Sequence, residues 1–420
     1  MKKPKLFYGY WIVAVAFLCM FINAGVGYYA FALFYKPLEV EFGWDRGAVS
    51  VAFTIYFIIQ GLAAPFIGRM VDRYGVKKLI TLGSLISGSG FLSLTFTHSL
   101  WSFYVSYVVT GFGMAAMGVV PTTHIVSNWF IKKRGFAVGI MATGIGAGAL
   151  VLAPIAGSYL IPAFSWRAAY LAFGILTWVL IIPAALLVIK ARPSDIGLYP
   201  DGAETPDAIA EAAPHSQGYE GWTLSDALKS FTFWLIALAF ITSDCSNTGT
   251  VIHQFNHITD LGFPVAAAAT VLGGVGFCSA IGKVFFGWLC DRIKAKHAAA
   301  ISFALQLASI VVLVTLKSTS SVAIIWLYAI LMGLGQGGWL PTMSMLVSGY
   351  FGLASYGAIF GAVNVAHSLG VAFGPLIAGQ MFDATQTYTG VFVTFVALYM
   401  IAIPSVLTVR PPKSRLVCSN

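Results

Sequence analysis

Residues 68–78 read Gly-Arg-Met-Val-Asp-Arg-Tyr-Gly-Val-Lys-Lys, and residues 287–292 read Gly-Trp-Leu-Cys-Asp-Arg. Each stretch follows a long apolar run, and each holds the pattern G-x-x-x-D-R, 219 residues apart. A second landmark recurs at an offset of 221, where Ala153-Pro154-Ile-Ala-Gly157 matches Gly374-Pro375-Leu-Ile-Ala-Gly379. A third is Trp129-Phe130 followed by Arg134-Gly135, echoed by Tyr350-Phe351 followed by Tyr356-Gly357. Three landmarks at nearly one offset mark two copies of one unit.

The surroundings of these landmarks are apolar. The chain has 420 residues, of which 58% are hydrophobic and 9% charged, with mean hydropathy +0.84. A soluble protein carries about 25% charged residues to cover its water-facing surface. The composition therefore excludes a soluble enzyme or a nucleic-acid binder, and 15% aromatics exclude a disordered chain. A helix crosses the hydrocarbon core with about 20 apolar residues. Twelve such segments are expected, near 8–35, 47–68, 78–98, 101–127, 135–160 and 167–190, and then 231–256, 264–287, 297–316, 321–347, 356–382 and 388–409. Continuous runs such as Leu180–Ile189 do not fit barrel strands, which alternate. The first apolar run is too long for a signal peptide and reads as a retained span. The expected fold is an all-α membrane protein of twelve helices. It divides into a six-helix half over residues 1–190, a hydrophilic linker over 191–230 and a second six-helix half over 231–420.

The basic residues orient it. With the N-terminus inside, 19 of the 24 Lys and Arg fall on inner loops and tails, four (Lys36, Arg46, Arg167, Lys317) fall outside, and Lys283 lies within a span. That asymmetry places both termini in the cytoplasm of an inner or plasma membrane. In the linker, Thr223-Leu-Ser-Asp226 reads as the cap of a short interfacial helix. Six spans being an even number, the two copies are parallel repeats. The five cysteines follow no disulfide or zinc spacing.

Gly68-x-x-x-Asp72-Arg73-x-Gly75-x-Lys77-Lys78 closely resembles the loop 2–3 signature of the major facilitator superfamily, and the resemblance runs over the whole chain. Lys36-Pro-Leu-Glu-Val-Glu-Phe-Gly-Trp44-x-Arg46 and Trp129-Phe-x-Lys-Lys-Arg134-Gly135 resemble the oxalate/formate antiporter and monocarboxylate transporter group within it. The resemblance implies a secondary transporter working by alternating access. It implies a gating role for Asp72 and Arg73 and, in the second copy, for Asp291 and Arg292. The basic residues among them also satisfy the positive-inside rule.

Charge inside a span is costly, so its bearers are candidates for function. Only Asp244 in span 7 and Lys283 in span 8 are formally charged mid-span, and His367 in span 11 is a third titratable group. Lys283 shares a helical face with Ser279, four residues earlier. The transporter group places a substrate-binding Arg at that point, so Lys283 resembles its replacement, as a point charge without the bidentate fork. His367 shares a face with Asn364 and stands near a Lys of the oxalate antiporter, which makes the second positive charge conditional on pH. One permanent cation suits a monocarboxylate. Asp244 is a candidate proton acceptor, expected to pair with Lys283 when no anion is bound. A structural Asp244–Lys283 pair and a neutral, hydrogen-bonded His367 are the bland counterparts of these roles.

Tyr28 and Tyr35 are placed on one face of span 1, and Gln336 and Trp339 on one face of span 10, as a lining for a small carboxylate. Packing and interfacial placement account for most aromatics here. The mammalian relatives carry a Lys where this chain has Tyr29, so their span 1 proton relay does not carry over. Ser279, Asn364, Lys283 and His367 complete the expected substrate site, with Asp244 and His367 coupling protons. His253-x-x-x-His257-x-x-Asp260 has metal-ligand spacing but too few ligands in reach, so no metal and no cofactor is implied. His124 receives no role. The chain is expected to act as a monomer in the bilayer, without nucleic acid, on a lactate-, pyruvate- or formate-type substrate with protons as the driving partner. Exchange against a counter-anion, as in oxalate:formate antiport, stands as the alternative. A cation or sugar carrier, a transceptor and a membrane-embedded enzyme are the remaining classes, and no nucleophile–base pair or nucleotide loop favours the last.

Overall fold

A computed structural model describes residues 7–44, 46–203, 222–318 and 320–412. Secondary structure among them is helical, and the chain forms two compact units, Met1–Ala212 and Ala213–Asn420. Within the first unit span 1 is Gly9–Gly27, span 2 Arg46–Tyr74, span 3 Val76–Thr95, span 5 Arg134–Ile155 and span 6 Trp166–Val188. Span 4 is two helices, Leu100–Met117 and Val119–Trp129. Within the second, span 7 is Phe231–Asp260, span 8 Val265–Cys290, span 9 Ala295–Thr315, span 11 Tyr356–Thr385 and span 12 Tyr388–Thr408. Span 10 is Val322–Gly337 followed by Trp339–Phe351.

Eleven stretches among the described residues have both the length and the hydropathy to cross a membrane. The twelfth, Val76–Thr95, has the length but is diluted by Lys77, Lys78 and four serines. The serines are accommodated without water: Ser84 Oγ donates to the Thr81 carbonyl at 2.8 Å, and Ser93 Oγ to the Gly90 carbonyl at 2.7 Å. Backbone carbonyls of the same helix thus take the place of solvent.

Both units use the same pairs. Span 1 packs on 5 as 7 packs on 11, span 2 on 4 as 8 on 10, and span 3 on 4 and 6 as 9 on 10 and 12. The breaks in spans 4 and 10 are also a repeat, at Gly118-x-x-Pro121-Thr122 and Gly338-x-x-Pro341-Thr342, offset by 220. The proline at the third position of each new helix lacks an N–H where no intrahelical acceptor exists. In both copies the threonine returns its Oγ–H to the glycine carbonyl at 2.7 Å. The 101–127 and 321–347 segments, expected as single helices, are therefore each jointed. Span 1 departs further. It stops at Gly27, continues as a 3-10 turn over Tyr29–Phe34, and resumes as a helix over Tyr35–Phe42.

Glycine contacts set the tightest pairs. A methyl on Gly374 would stand 2.1 Å from the Cys245 carbonyl oxygen, and one on Gly370 2.5 Å from that of Ile241. Gly249 answers from span 7, where a methyl would be 2.8 Å from the Gly374 carbonyl oxygen. In the first unit Gly148 meets the Phe21 carbonyl and the Gly25 nitrogen in the same manner. Small residues let helix backbones touch, and van der Waals contact then replaces the hydrophobic drive that lipid does not supply.

Two polar ties fasten the ends of the first unit. Glu41 accepts from Trp166 Nε1 at 2.6 Å and Arg167 Nη1 at 2.5 Å, while Arg167 stacks over Trp166. The Arg167 and Trp166 hydrogen bonds hold the Glu41 carboxyl below its ordinary range. On the linker side, Asp201 sits with φ +57° and accepts from the N–H groups of Ile131 and Lys132 at 2.8 and 2.7 Å. Its carboxylate thereby caps the run that opens span 5. In the second unit Thr223 caps the helix Leu224–Lys229, accepting from the Asp226 N–H at 3.2 Å.

Gly374→Val should be poorly tolerated, because backbone cannot yield as a side chain can. Overpacking of this kind costs about 1–3 kcal/mol. Gly379→Ala on the same helix meets nothing within 4 Å, and thermal unfolding in detergent should leave that variant at or above the parent.

Candidate functional site

His367 lies three residues before Gly370, and Asp244 three residues after Ile241. The glycine contact between spans 7 and 11 therefore brings the two side chains together. His367 Nδ1 is 2.8 Å from Asp244 Oδ2, and the carboxylate is largely buried, its side chain 9% exposed. In the equivalent contact of the first unit, where Gly144 meets the Phe17 carbonyl as Gly370 meets that of Ile241, the matching positions hold Met20 and Met141. The repeat thus has one apolar copy and one titratable copy of the same joint. The expected partner of Asp244 was Lys283, but helix order decides otherwise, since span 11 rather than span 8 packs along span 7.

Trp339 covers the other side of the imidazole. Its ring is stacked on that of His367, with centroids 4.3 Å apart and planes 3° from parallel. Trp339 is the first residue after the span 10 break, so the joint at Gly338 aims its indole. The carboxylate oxygen thus meets the imidazole at its Nδ1 edge and the indole lies against its face. The pair can hold an extra proton as Asp⁻–His⁺, with no net charge, or release it and keep one negative charge.

Lys283 is 6% exposed in span 8, and its Nζ donates to Ser279 Oγ at 2.8 Å. Among the described residues no carboxylate is paired with it within 4.0 Å. A methyl on Gly337 would stand 2.5 Å from the backbone nitrogen of Lys283, so the contact is with the span 8 backbone. The span 10 joint therefore touches Lys283 on one side and, two residues on, His367. Gln336 and Asn364 are half-buried and make no side-chain hydrogen bond among the described residues.

Other expected residues fall elsewhere. Tyr28 is 38% exposed and stacks edge-on with Tyr29 and Phe57. The 3-10 turn Tyr29–Phe34 separates it from Tyr35; the Tyr35 side chain lies outside those described. Asp72 lies 3.4 Å from His124 Nδ1, which gives His124 a place against the C-terminal end of span 2. Arg73 and Arg292 each lie over a neighbouring ring, Tyr74 and Trp288, and Asp291 caps the end of span 8. His253 spans Tyr388 Oη and the Pro375 carbonyl, both at 3.3 Å, while His257 turns to the Leu313 carbonyl. Their nitrogens thus have separate partners and no common centre. Unforeseen was a buried polar cluster. Gln306 Oε1 accepts from Asn247 Nδ2 and from the Tyr399 hydroxyl, each at 2.8 Å. A lone Gln in an apolar run was the signal.

The sequence model of the Major Facilitator Superfamily matches residues 15–254 and 234–417. Monocarboxylate transporter 12 of Rattus norvegicus is 25% identical over 409 residues, covering 93% of this chain and 83% of its own. Monocarboxylate transporter 13 of Bos taurus is 26% identical over 419 residues, covering 98% and 91%. An uncharacterized MFS-type transporter of Bacillus subtilis is 24% identical, covering 91% and 90%. In fold the chain is similar to the human organic anion transporter MFSD10, at TM-score 0.69 and 16% identity over 96% of this chain and all of that one. It is also similar to the Escherichia coli fucose:proton symporter, at TM-score 0.66, 16% identity, and coverage of 95% and 99%.

The Asp244–His367 bond is open to a double-mutant cycle. Removing one partner strands a buried polar group at about 1–3 kcal/mol, whereas removing both is milder. Asp244→Leu alone should lower the thermal midpoint more than Asp244→Leu with His367→Leu; equal or additive losses would contradict a direct pair.

Proposed function

The chain belongs to the major facilitator superfamily and is an integral membrane transporter, and from that premise we propose that it carries small monocarboxylates together with protons. The observation that carries this reading is Lys283. A buried ammonium without a carboxylate partner is expensive in the hydrocarbon core, and an arriving anion compensates it. The Ser279 hydroxyl beside it offers a second polar contact, and Gln336 and Asn364 bring unengaged amides.

Charge balance supports a proton as co-substrate. With Lys283 charged, Asp244 ionised and His367 neutral, the three sum to zero. A carboxylate alone leaves one negative charge in a low-dielectric interior. A proton on the Asp244–His367 pair restores neutrality. Empty and doubly loaded forms are then both neutral, so both can reorient without carrying charge. A dicarboxylate leaves a second negative charge, which this set does not balance. The names of the relatives, monocarboxylate transporters 12 and 13, agree with the anion chosen.

At the inner ends the Asp72–His124 contact and the repeated Asp291–Arg292 stretch take the gating role in alternating access. Both termini face the cytoplasm, and the chain works as a monomer.

Lys283→Gln tests the reading in proteoliposomes by counterflow with a panel of lactate, pyruvate, formate and oxalate. The expected result is a loss of at least about tenfold in uptake, the equivalent of one buried charge-assisted contact. Uptake within twofold of the parent would favour a carrier of uncharged or cationic solutes. Preference for oxalate with strict dependence on internal anion would favour exchange.

A further inference from the structure

The polar cluster around Gln306 is connected to the Asp244–His367 pair from two directions. On one side Gln306 Oε1 holds Asn247, one helical turn beyond Asp244 in span 7. On the other, Gln306 Nε2 donates to the carbonyl and hydroxyl of Ser302 at 3.3 and 3.4 Å. Ser302 Oγ donates in turn to the Gly335 carbonyl at 2.7 Å, just before the span 10 break. Four residues past Gly335, Trp339 stacks on His367. The path closes: Asp244, Asn247, Gln306, Ser302, Gly335, Trp339, His367 and again Asp244.

We propose that Gln306 is a positioning residue for the titratable pair, holding the span 10 joint so that Trp339 stays flat against His367. Its amide suits the task. Oε1 has two lone pairs and both are taken, by Asn247 and Tyr399, so the side chain cannot rotate without stranding two buried donors. Gln306 is 3% exposed and touches neither Asp244 nor His367 in any hydrogen bond of the described residues. It acts through the joint. The reading rests on Asp244–His367 as the proton site. Facing that pair are Cys245 of span 7 and Tyr399 of span 12, both in electrostatic reach of Asp244, with Tyr328 of span 10 beside Tyr399; Trp339 itself does not titrate.

Protons are the probe, so the test needs no transport. An imidazolium quenches an indole stacked on it. The pH titration of Trp339 emission is obtained for the purified full chain by subtracting the Trp339→Phe variant from the parent. The parent difference should lose intensity on acidification, and His367→Asn should abolish that change. Gln306→Leu should shrink its amplitude at least about threefold, as the network is broken at its centre. Gln306→Glu keeps the acceptor for Asn247 and Tyr399 but loses the Nε2 donor to Ser302, so it should shrink the amplitude as well. Should Gln306→Leu fail to fold, Ser302→Ala decides, since it cuts the tie to Gly335 from the other side and should shrink the amplitude as well. Parent-like titration in the folded Gln306→Leu or, in its stead, in Ser302→Ala overturns the proposal, as does a parent difference that His367→Asn leaves unchanged. A chain that titrates as expected but moves no carboxylate supports the positioning role and sinks the symport reading alone.

Discussion

Spans 7 and 11 touch backbone to backbone because Gly249, Gly370 and Gly374 present no side chain at their crossing. The chemistry of the second unit depends on that contact. It lets a carboxylate and an imidazole one turn away meet at 2.8 Å where water is scarce. Without a partner, Asp244 in the middle of a span would cost several kcal/mol. With His367 beside it, the carboxylate has a hydrogen-bond partner at 2.8 Å. The first unit builds the same crossing around Gly144 and Gly148 with Met20 and Met141 at the corresponding places. Duplication supplied the joint twice, and one copy carries the ionisable groups.

The second dependence is on the joint in span 10. A glycine whose N–H returns to the Gly335 carbonyl, a proline at the third position and a threonine whose hydroxyl joins the glycine carbonyl make a break that is polar yet satisfied. That break is in contact with Lys283 through Gly337 and with His367 through Trp339. On the proposed reading, the anion at Lys283 and the proton at His367 would meet the same short piece of backbone. Coupling between the two is most economically placed there.

Much of the fold was legible in the residues. Apolar runs separated by basic loops yield the helices, and the repeated G-x-x-x-D-R reveals the two copies, because hydropathy and charge act locally. Asp244, Lys283 and His367 stood out for the same reason. What was not legible was partnership. Which carboxylate meets which base depends on which helices are neighbours, and span 11 rather than span 8 packs along span 7. The sign that 11 packs on 7 lay in Gly370-x-x-x-Gly374 placed one turn after His367. The breaks at Gly27, Gly118 and Gly338 were missed because apolar content runs unchanged through them. Two of them repeat as G-x-x-P-T, a pattern visible only once the copies are aligned by their packing. His124 was overlooked because its carboxylate, Asp72, lies on another span.

The central claim is that one proton enters with each anion through Asp244. Lactate-driven alkalinisation outside proteoliposomes, followed with a pH dye beside radiolabelled lactate uptake, measures it directly. The account predicts about one proton per lactate for the parent, as charge balance requires, and lactate movement without proton uptake, or none at all, for Asp244→Asn. Full proton coupling in Asp244→Asn would contradict it.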